Sequence, residues 1–326
     1  MKKRQWITPL GFAVSILLLY LSLKGIRLHD IWETLKRADL RYAFLPLLCI
    51  SGAASGASYR WARVSGTDVH FRETFAALLI GLFINNVLPA RIGELARGYV
   101  LSRKKGFTFT YALSTVLVDR FFDLTGLLLL VFFFFPKQQL PPRISQGIYL
   151  IIGLAIVCVA GILILSRERF ANRLSSKLMK VETSFLTRFA KTILGIQENL
   201  KRITSPLLLL LFVAISFSTW FCMSLALYAV ILALHVSVPF VCVPFVCALL
   251  NMGITIPSSP GYIGLYQFLL VYLLSLFGVP KYEAFTVSVL YHASWYVPYT
   301  IIGFLLLLRE HLKIRDIRRL NEATAD

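Results

Sequence analysis

The chain has 326 residues, 57% of them hydrophobic and 15% charged, with a mean hydropathy of +0.73 and a formal net charge of +18. That composition excludes a soluble globular domain and describes a polytopic membrane protein. It also argues against a nucleic-acid binder, because the lysines and arginines lie between apolar runs, where the positive-inside rule makes them markers of cytoplasmic loops beside anionic lipid.

In chain order, Met1-Lys2-Lys3-Arg4 precedes an apolar run at about 7–23. The start resembles a signal peptide, but the run is long and no small-residue cleavage site follows, so the expectation is an uncleaved first span. Residues 24–42 carry five basic and three acidic residues, and Leu28, Ile31, Leu35 and Ala38 recur at helical spacing, which predicts an interfacial amphipathic helix. Further apolar runs fall at about 43–59, 75–88, 111–135, 148–165, 206–234, 239–256, 261–277 and 284–308. The longest polar segment, 167–205, holds nine basic and three acidic residues and reads as a cytoplasmic loop. Only 18 residues follow Leu308, so the chain reads as a single integral membrane domain, residues 1–326, without a separate catalytic domain.

The run at 75–88 is short for a span, since a bilayer needs about 20 apolar residues. Basic clusters at Arg60, Arg63 and Arg72 before it, and at Arg103, Lys104 and Lys105 after it, lie on one side only if residues 75–101 form a re-entrant hairpin from the cytoplasm. With that choice 25 of the 34 basic residues lie inside, 8 outside and Arg120 within the membrane, and both termini are cytoplasmic. Runs 239–256 and 261–277 permit two readings, a second hairpin from the outside or two full spans. Loop charge does not separate them, because the parity is equal.

Pro89-x-x-Ile92-Gly93 recurs as Pro260-x-x-Ile263-Gly264. This weak repeat makes residues 43–135 and 206–308 two halves of opposite orientation, an arrangement common in transporters. Accidental alignment of hydrophobic segments is the competing reading. The expected fold is therefore an all-α polytopic membrane protein of about six to eight spanning helices, with one or two re-entrant broken hairpins and an inverted repeat.

Three polar constellations interrupt the apolar runs. In the first, Asn85, Asn86, Pro89, Arg91, Gly93, Glu94 and Arg97 lie within 13 residues. Pro89 removes a backbone donor and disfavours helix at Leu88. A helix restarting beyond it would aim N–H groups inward, and arginine suits bidentate phosphate binding. Glu94 lies three residues from each arginine and can hold either one. The alternative is a kinked helix whose polar groups only cap broken backbone.

In the second, Asp119, Arg120 and Asp123 lie inside the run 111–135, where each charge costs about 2.5–3.5 kcal/mol at mid-depth on insertion scales. The two carboxylates share one helix face and exceed the one arginine, so a further cation is expected nearby, with Arg91 and Arg97 as candidates. They either bind a headgroup, relay protons or staple helices together.

In the third, Pro257, Ser258, Pro260, Gly261 and Gly264 force irregular backbone, flanked by Asn251 and Gln267, and His292 sits inside the last apolar run. His292 is read either as a helix-packing residue or as the counterpart of Arg120 in the repeat. The five cysteines, at 49, 158, 222, 242 and 247, all lie in apolar runs without C-x-x-C spacing and read as small core residues. No disulfide, metal or cofactor is expected.

The motifs N-x-L-P-x-R-x-G-E-x-x-R at 86–97, D-R-x-x-D at 119–123 and P-x-x-P-G-x-x-G at 257–264 occur here in order. In this the chain resembles the flippase-like membrane domain of lysylphosphatidylglycerol synthases, which also occurs as stand-alone inner-membrane proteins. Two departures are visible. Gln267 stands where the family often has an acid, which weakens a proton-linked role there, and the soluble aminoacyl-transferring domain is absent.

The resemblance implies translocation rather than synthesis. The expected function is that of a prokaryotic inner-membrane lipid transporter moving an anionic phospholipid or a polyprenyl-phosphate-linked lipid. No P-loop is present, so direct use of ATP is not expected. Asn85, Asn86, Arg91, Glu94, Arg97, Asp119, Arg120, Asp123, Ser258, Gly261, Gln267 and His292 are the candidate substrate contacts. Expected partners are membrane lipids, a second copy of the chain or a lipid-modifying enzyme, and not nucleic acid. The alternatives are a membrane-embedded transferase acting on lipid-linked substrates and a non-transporting scaffold.

Overall fold

The computed structural model describes residues 7–88, 92–136, 142–165, 167–179, 184–202, 205–255 and 258–312. Among these residues the chain is all helix and turn. In order the helices are α1 (Ile7–Leu23), α2 (Leu28–Lys36), α3 (Phe44–Ser65), α4 (Phe71–Val87), α5 (Gly93–Lys105), α6 (Phe109–Phe133) and α7 (Pro142–Leu165). They are followed by α8 (Glu168–Met179), α9 (Ser184–Arg202), α10 (Pro206–Ala233), α11 (Cys242–Gly253), α12 (Leu265–Ser275) and α13 (Lys281–Arg309).

Three spans, Leu40–Ser65, Pro206–Ala233 and Lys281–Arg309, are long and apolar enough to cross a bilayer. The 28 residues of α10 reach about 42 Å at 1.5 Å per residue, more than the roughly 30 Å of a hydrocarbon core. Helix α2 leaves α1 at 74° and turns Leu28 and Trp32 outward, as an interfacial amphipathic helix does.

Helices α4 and α5 form the first broken hairpin. Leu88 is extended (φ −104°, ψ 143°), the conformation that a following proline imposes, so α4 ends where Pro89 requires. The two arms cross at Gly81 and Gly93, where a methyl group on either would collide with the other's carbonyl oxygen. An ion pair of 3.2 Å between Glu73, in the first turn of α4, and Lys105, in the last turn of α5, ties the two feet together. Entry and exit therefore lie at one end.

Helices α11 and α12, of 12 and 11 residues, form the second hairpin. Each reaches only about 17–18 Å, which favours a hairpin over two full spans. Its tip turns on Gly261 and Gly264, both at positive φ (64° and 92°). Gly261 lies against the Tyr296 ring and the Asn86 carbonyl, so the tips of the two hairpins meet. Helix α1 covers the second tip, and the Ser259 N–H donates to Ser15 Oγ at 3.0 Å.

Within the polar segment 167–205, α8 and α9 pair with each other, and α9 lies on α6, where Asn199 Nδ2 donates to Ser114 Oγ at 2.9 Å. One expectation needs correction. Arg60 does not follow a span as an aqueous topology marker. Helix α3 continues to Ser65, and Arg60 and Arg97 are both buried.

Candidate functional site

Six charged side chains from three helices form a closed ring of alternating sign. Arg60 on α3 reaches Asp119 at 2.8 Å and Asp123 at 2.7 Å, both on α6. Asp119 continues to Arg97 on α5 at 3.1 Å, and Arg97 to Glu94 at 3.1 Å. Glu94 then holds Arg120 on α6 at 2.7 Å, and Arg120 returns to Asp123 at 2.8 Å. Three arginines face three carboxylates, so the ring is neutral. Each carboxylate touches two arginines, and each arginine touches two carboxylates.

Local sequence sets this arrangement. Ala53, Ala54, Gly56 and Ala57 keep one side of α3 small, which lets backbones approach. A methyl group on Gly56 would stand 3.0 Å from Thr219 Oγ1 of α10. Gly126 of α6 is equally tight, with a methyl group there falling 2.7 Å from the Ser216 backbone. That approach puts Ser216 Oγ within 2.7 Å of Arg60 Nη1, which donates to it. Arg60 Nε donates to Asp119 at 2.9 Å and Nη2 to Asp123 at 2.7 Å. Arg97 lies over the Trp61 ring at 4.8 Å, a cation–π contact, and Trp61 Nε1 donates to Thr115 Oγ1 at 3.0 Å. Arg120 grips Glu94 with two hydrogen bonds, from Nε at 3.0 Å and Nη2 at 2.7 Å.

The ring has a sealed side and an open side. The side chains of Arg60, Asp119 and Arg97 are 0%, 1% and 2% exposed, while those of Glu94 and Arg120 are 25% and 35% exposed. The open side faces a cavity of about 570 Å³, within the usual size range of ligand sites, about 300–1,000 Å³. Asn85, Glu94, Arg97, Arg120 and Asp123 make its polar end. Leu78, Leu82, Leu124, Leu127, Met223, Met252 and Ile254 are on its apolar wall, and Asn251, Thr255, Tyr262, Trp295 and Tyr299 also line it. Both hairpins thus line one amphipathic space.

Among the residues singled out from the sequence, Asn85, Glu94, Arg97, Arg120 and Asp123 line the cavity, and Asp119 lies directly behind them. Asn85 also caps α5, its Oδ1 accepting from the Gly93 N–H at 2.7 Å, so that amide is already engaged and not open to an anion. Asn86 faces away, donating to Thr300 Oγ1 at 2.8 Å. Gly261 is at the tip contact, and Ser258 is half-buried beside it.

Gln267 and His292 are brought to each other and not to the cavity. Gly264 N–H donates to Gln267 Oε1 at 2.7 Å, which orients the amide so that Nε2 donates to His292 Nδ1 at 3.0 Å. His292 then carries its hydrogen on Nε2. The imidazole stacks on Tyr266 at 4.3 Å and touches Trp295 and Tyr296. Pro89, Arg91 and Pro257 lie outside the described residues.

The residue that reading the sequence missed is Arg60. The available signal was the surplus of carboxylates over arginine in D-R-x-x-D, which demanded outside cations. Arg97 and Arg60 supply them.

The transmembrane region of lysylphosphatidylglycerol synthases, taken as a family, matches residues 9–303 of this chain. A UPF0104 membrane protein of Methanocaldococcus jannaschii is 28% identical over 231 residues, covering 69% of this chain and 93% of that protein. One from Methanothermobacter thermautotrophicus is 27% identical, covering 85% and 86% of the two chains. One from Pyrococcus horikoshii is 24% identical, covering 91% and 94%. With its motifs and both hairpins inside the matched segment, the chain belongs to the lysylphosphatidylglycerol synthase transmembrane-region family.

Proposed function

We propose that the protein moves a lipid with a phosphate-bearing headgroup, anionic or polyprenyl-phosphate-linked, from one leaflet of a prokaryotic inner membrane to the other. The observation that carries this reading is the amphipathic cavity: arginine and carboxylate at one end, leucine and methionine along the wall. A lipid has the same division. Arg120, whose side chain is 35% exposed, is the first phosphate ligand, and Arg97, which lines the cavity from the sealed side of the ring, is the second, since guanidinium forks match phosphate oxygens. Arg60 is a positioning residue that holds Asp119 and Asp123 from behind.

The two hairpins enter from opposite faces as halves of an inverted repeat, meet at their tips near mid-depth, and bring polar backbone to a wet path. Both termini are cytoplasmic, as the basic flanks require. The driving force is an ion gradient or the lipid's own gradient, because the chain carries no phosphate-binding loop for ATP.

The test is leaflet accessibility. Protein is reconstituted into liposomes that contain headgroup-labelled phosphatidylglycerol, and a membrane-impermeant quencher is added. The wild type should expose label beyond the outer-leaflet fraction, and folded Arg97→Gln and Asp119→Asn should not. Wild-type vesicles that behave as empty ones, or variants that move lipid at the wild-type rate, would overturn the proposal.

A further inference from the structure

Helices α8 and α9 are tied to the bilayer at both ends. Helix α8 starts at Glu168, just after α7 ends at Leu165, and the span α10 starts at Pro206, just after α9 ends at Arg202. On α7, Leu150, Ile156, Val157 and Ile164 are exposed, as apolar side chains are where they face lipid. The α8–α9 pair therefore stands at the level where hydrocarbon gives way to headgroups.

Its inner faces are already occupied. Ala171 and Ser175 of α8 and Ala190 and Ile193 of α9 are buried, and Ser175 Oγ donates to the Ala190 carbonyl at 3.3 Å. Ile196 and Leu200 of α9 pack on Phe121, Phe122 and Phe212. Phe189 precedes Ile196 by two helical turns on the same stripe of α9, and there the stripe has left the protein core, with the ring 50% exposed. The outer side of α8 differs in kind. Arg169, Arg173 and Lys177, spaced i, i+4 and i+8, are exposed, and so is Phe170 beside them. Among the described residues none of these three cations pairs with a carboxylate, whereas Lys201 takes Glu168 at 2.8 Å. The segment 167–205 holds nine basic and three acidic residues.

We propose that the α8–α9 pair is a docking pad for an anionic lipid surface, with headgroup phosphates against Arg169, Arg173 and Lys177 and the Phe170 ring in the headgroup boundary. Charge selects an anionic occupant. Position selects lipid, because spans deliver both ends of the pair to the bilayer surface and cations flanking an exposed aromatic are the composition of interfacial helices. The proposal stands apart from what the cavity carries. Each lysine or arginine at such a surface contributes about fivefold, so the three together contribute on the order of a hundredfold. Helix α9 rests in turn on α6: a methyl group on Gly195 would stand 2.7 Å from Ser114 Oγ, to which Asn199 donates at 2.9 Å. Docking thus braces the helix that carries Asp119, Arg120 and Asp123.

The experiment is hydrogen–deuterium exchange of the full-length protein in nanodiscs, one set of phosphatidylcholine alone and one containing about a third phosphatidylglycerol. Backbone amides of α8 should exchange about tenfold more slowly, or slower still, in the anionic discs, while those of α11 do not change. The difference should vanish in 1 M salt, where the screening length falls to about 3 Å. It should vanish also in the triple variant Arg169→Gln, Arg173→Gln, Lys177→Gln, whose side chains are all exposed.

Equal exchange of α8 in the two kinds of disc overturns the proposal. So does a difference that survives both salt and the triple variant. Protection that is alike in both discs, and appears only when two copies share a disc, gives the face to a second copy of the chain and overturns it too. The wild-type comparison with and without salt decides the matter if the triple variant does not fold.

Discussion

Replacing Arg60 by methionine tests whether the ring is one electrostatic unit. Methionine keeps much of the length and volume of the side chain and removes the charge and three hydrogen bonds, of 2.9, 2.7 and 2.7 Å, to Asp119, Asp123 and Ser216. Two arginines then face three carboxylates, and the unbalanced charge sits where side chains are 1% and 11% exposed. Breaking a buried pair by removing one partner costs about 3–5 kcal/mol. That is roughly a hundred- to several-thousand-fold in the folding equilibrium. The companion double variant, Arg60→Met with Asp119→Asn, restores two of each charge and should recover stability, with a coupling of about 0.5–3 kcal/mol. The assay is reversible unfolding in mixed micelles, followed by tryptophan fluorescence. A loss below about 1 kcal/mol in Arg60→Met, the range of an exposed pair, or strict additivity in the double variant, would refute the ring as a coupled unit.

Arg120→Gln should behave in the opposite way: its side chain is 35% exposed, so stability should fall by no more than about 1 kcal/mol while leaflet exchange in liposomes is lost. Gly93→Ala places a methyl group onto the Gly81 carbonyl and 2.6 Å from the Asn85 carboxamide, so the first hairpin cannot close. The variant should lose at least the roughly 1–3 kcal/mol of an overpacked core, read by thermal unfolding in detergent. Gln267→Leu strands the Gly264 N–H and frees His292 Nδ1, both buried. The same unfolding assay should show a loss of about 1–3 kcal/mol, and a change below 0.5 kcal/mol would contradict the assigned hydrogen bonds.

The parts of this structure that follow local rules were legible in the sequence. Proline acts on its neighbour, so the end of α4 at Leu88 could be placed from Pro89 alone. The short apolar run beside Arg103, Lys104 and Lys105 required a hairpin, and the Glu73–Lys105 pair now marks its feet. The open choice at 239–277 was one of length, and arms of 12 and 11 residues favour the hairpin. Arg60 was not legible, because an arginine at the end of an apolar run looks the same whether it stops a span or completes a charge ring across three helices. Charge balance at Asp119 and Asp123 called for such a cation without naming it.

His292 illustrates the reverse. Its register with Arg120 pointed to the path, but the side chain is held by Gln267 and stacked on Tyr266. Helices α8 and α9 were hidden by their own charge. Ala171, Ser175, Ala190 and Ile193 mark their buried faces, and the nine basic residues of the segment masked that periodicity.

The measurement closest to the central claim is photocrosslinking in native membranes. A benzophenone amino acid is placed at Leu82, on the cavity wall, and in a second protein at Leu48, which is 71% exposed on α3. Irradiated protein is then analysed for bound lipid by mass spectrometry. Capture of phosphate-bearing lipid at Leu82 that disappears with Arg97→Gln, while capture at Leu48 is unchanged, is the predicted result. No lipid at Leu82, or equal capture there with and without Arg97, would contradict it.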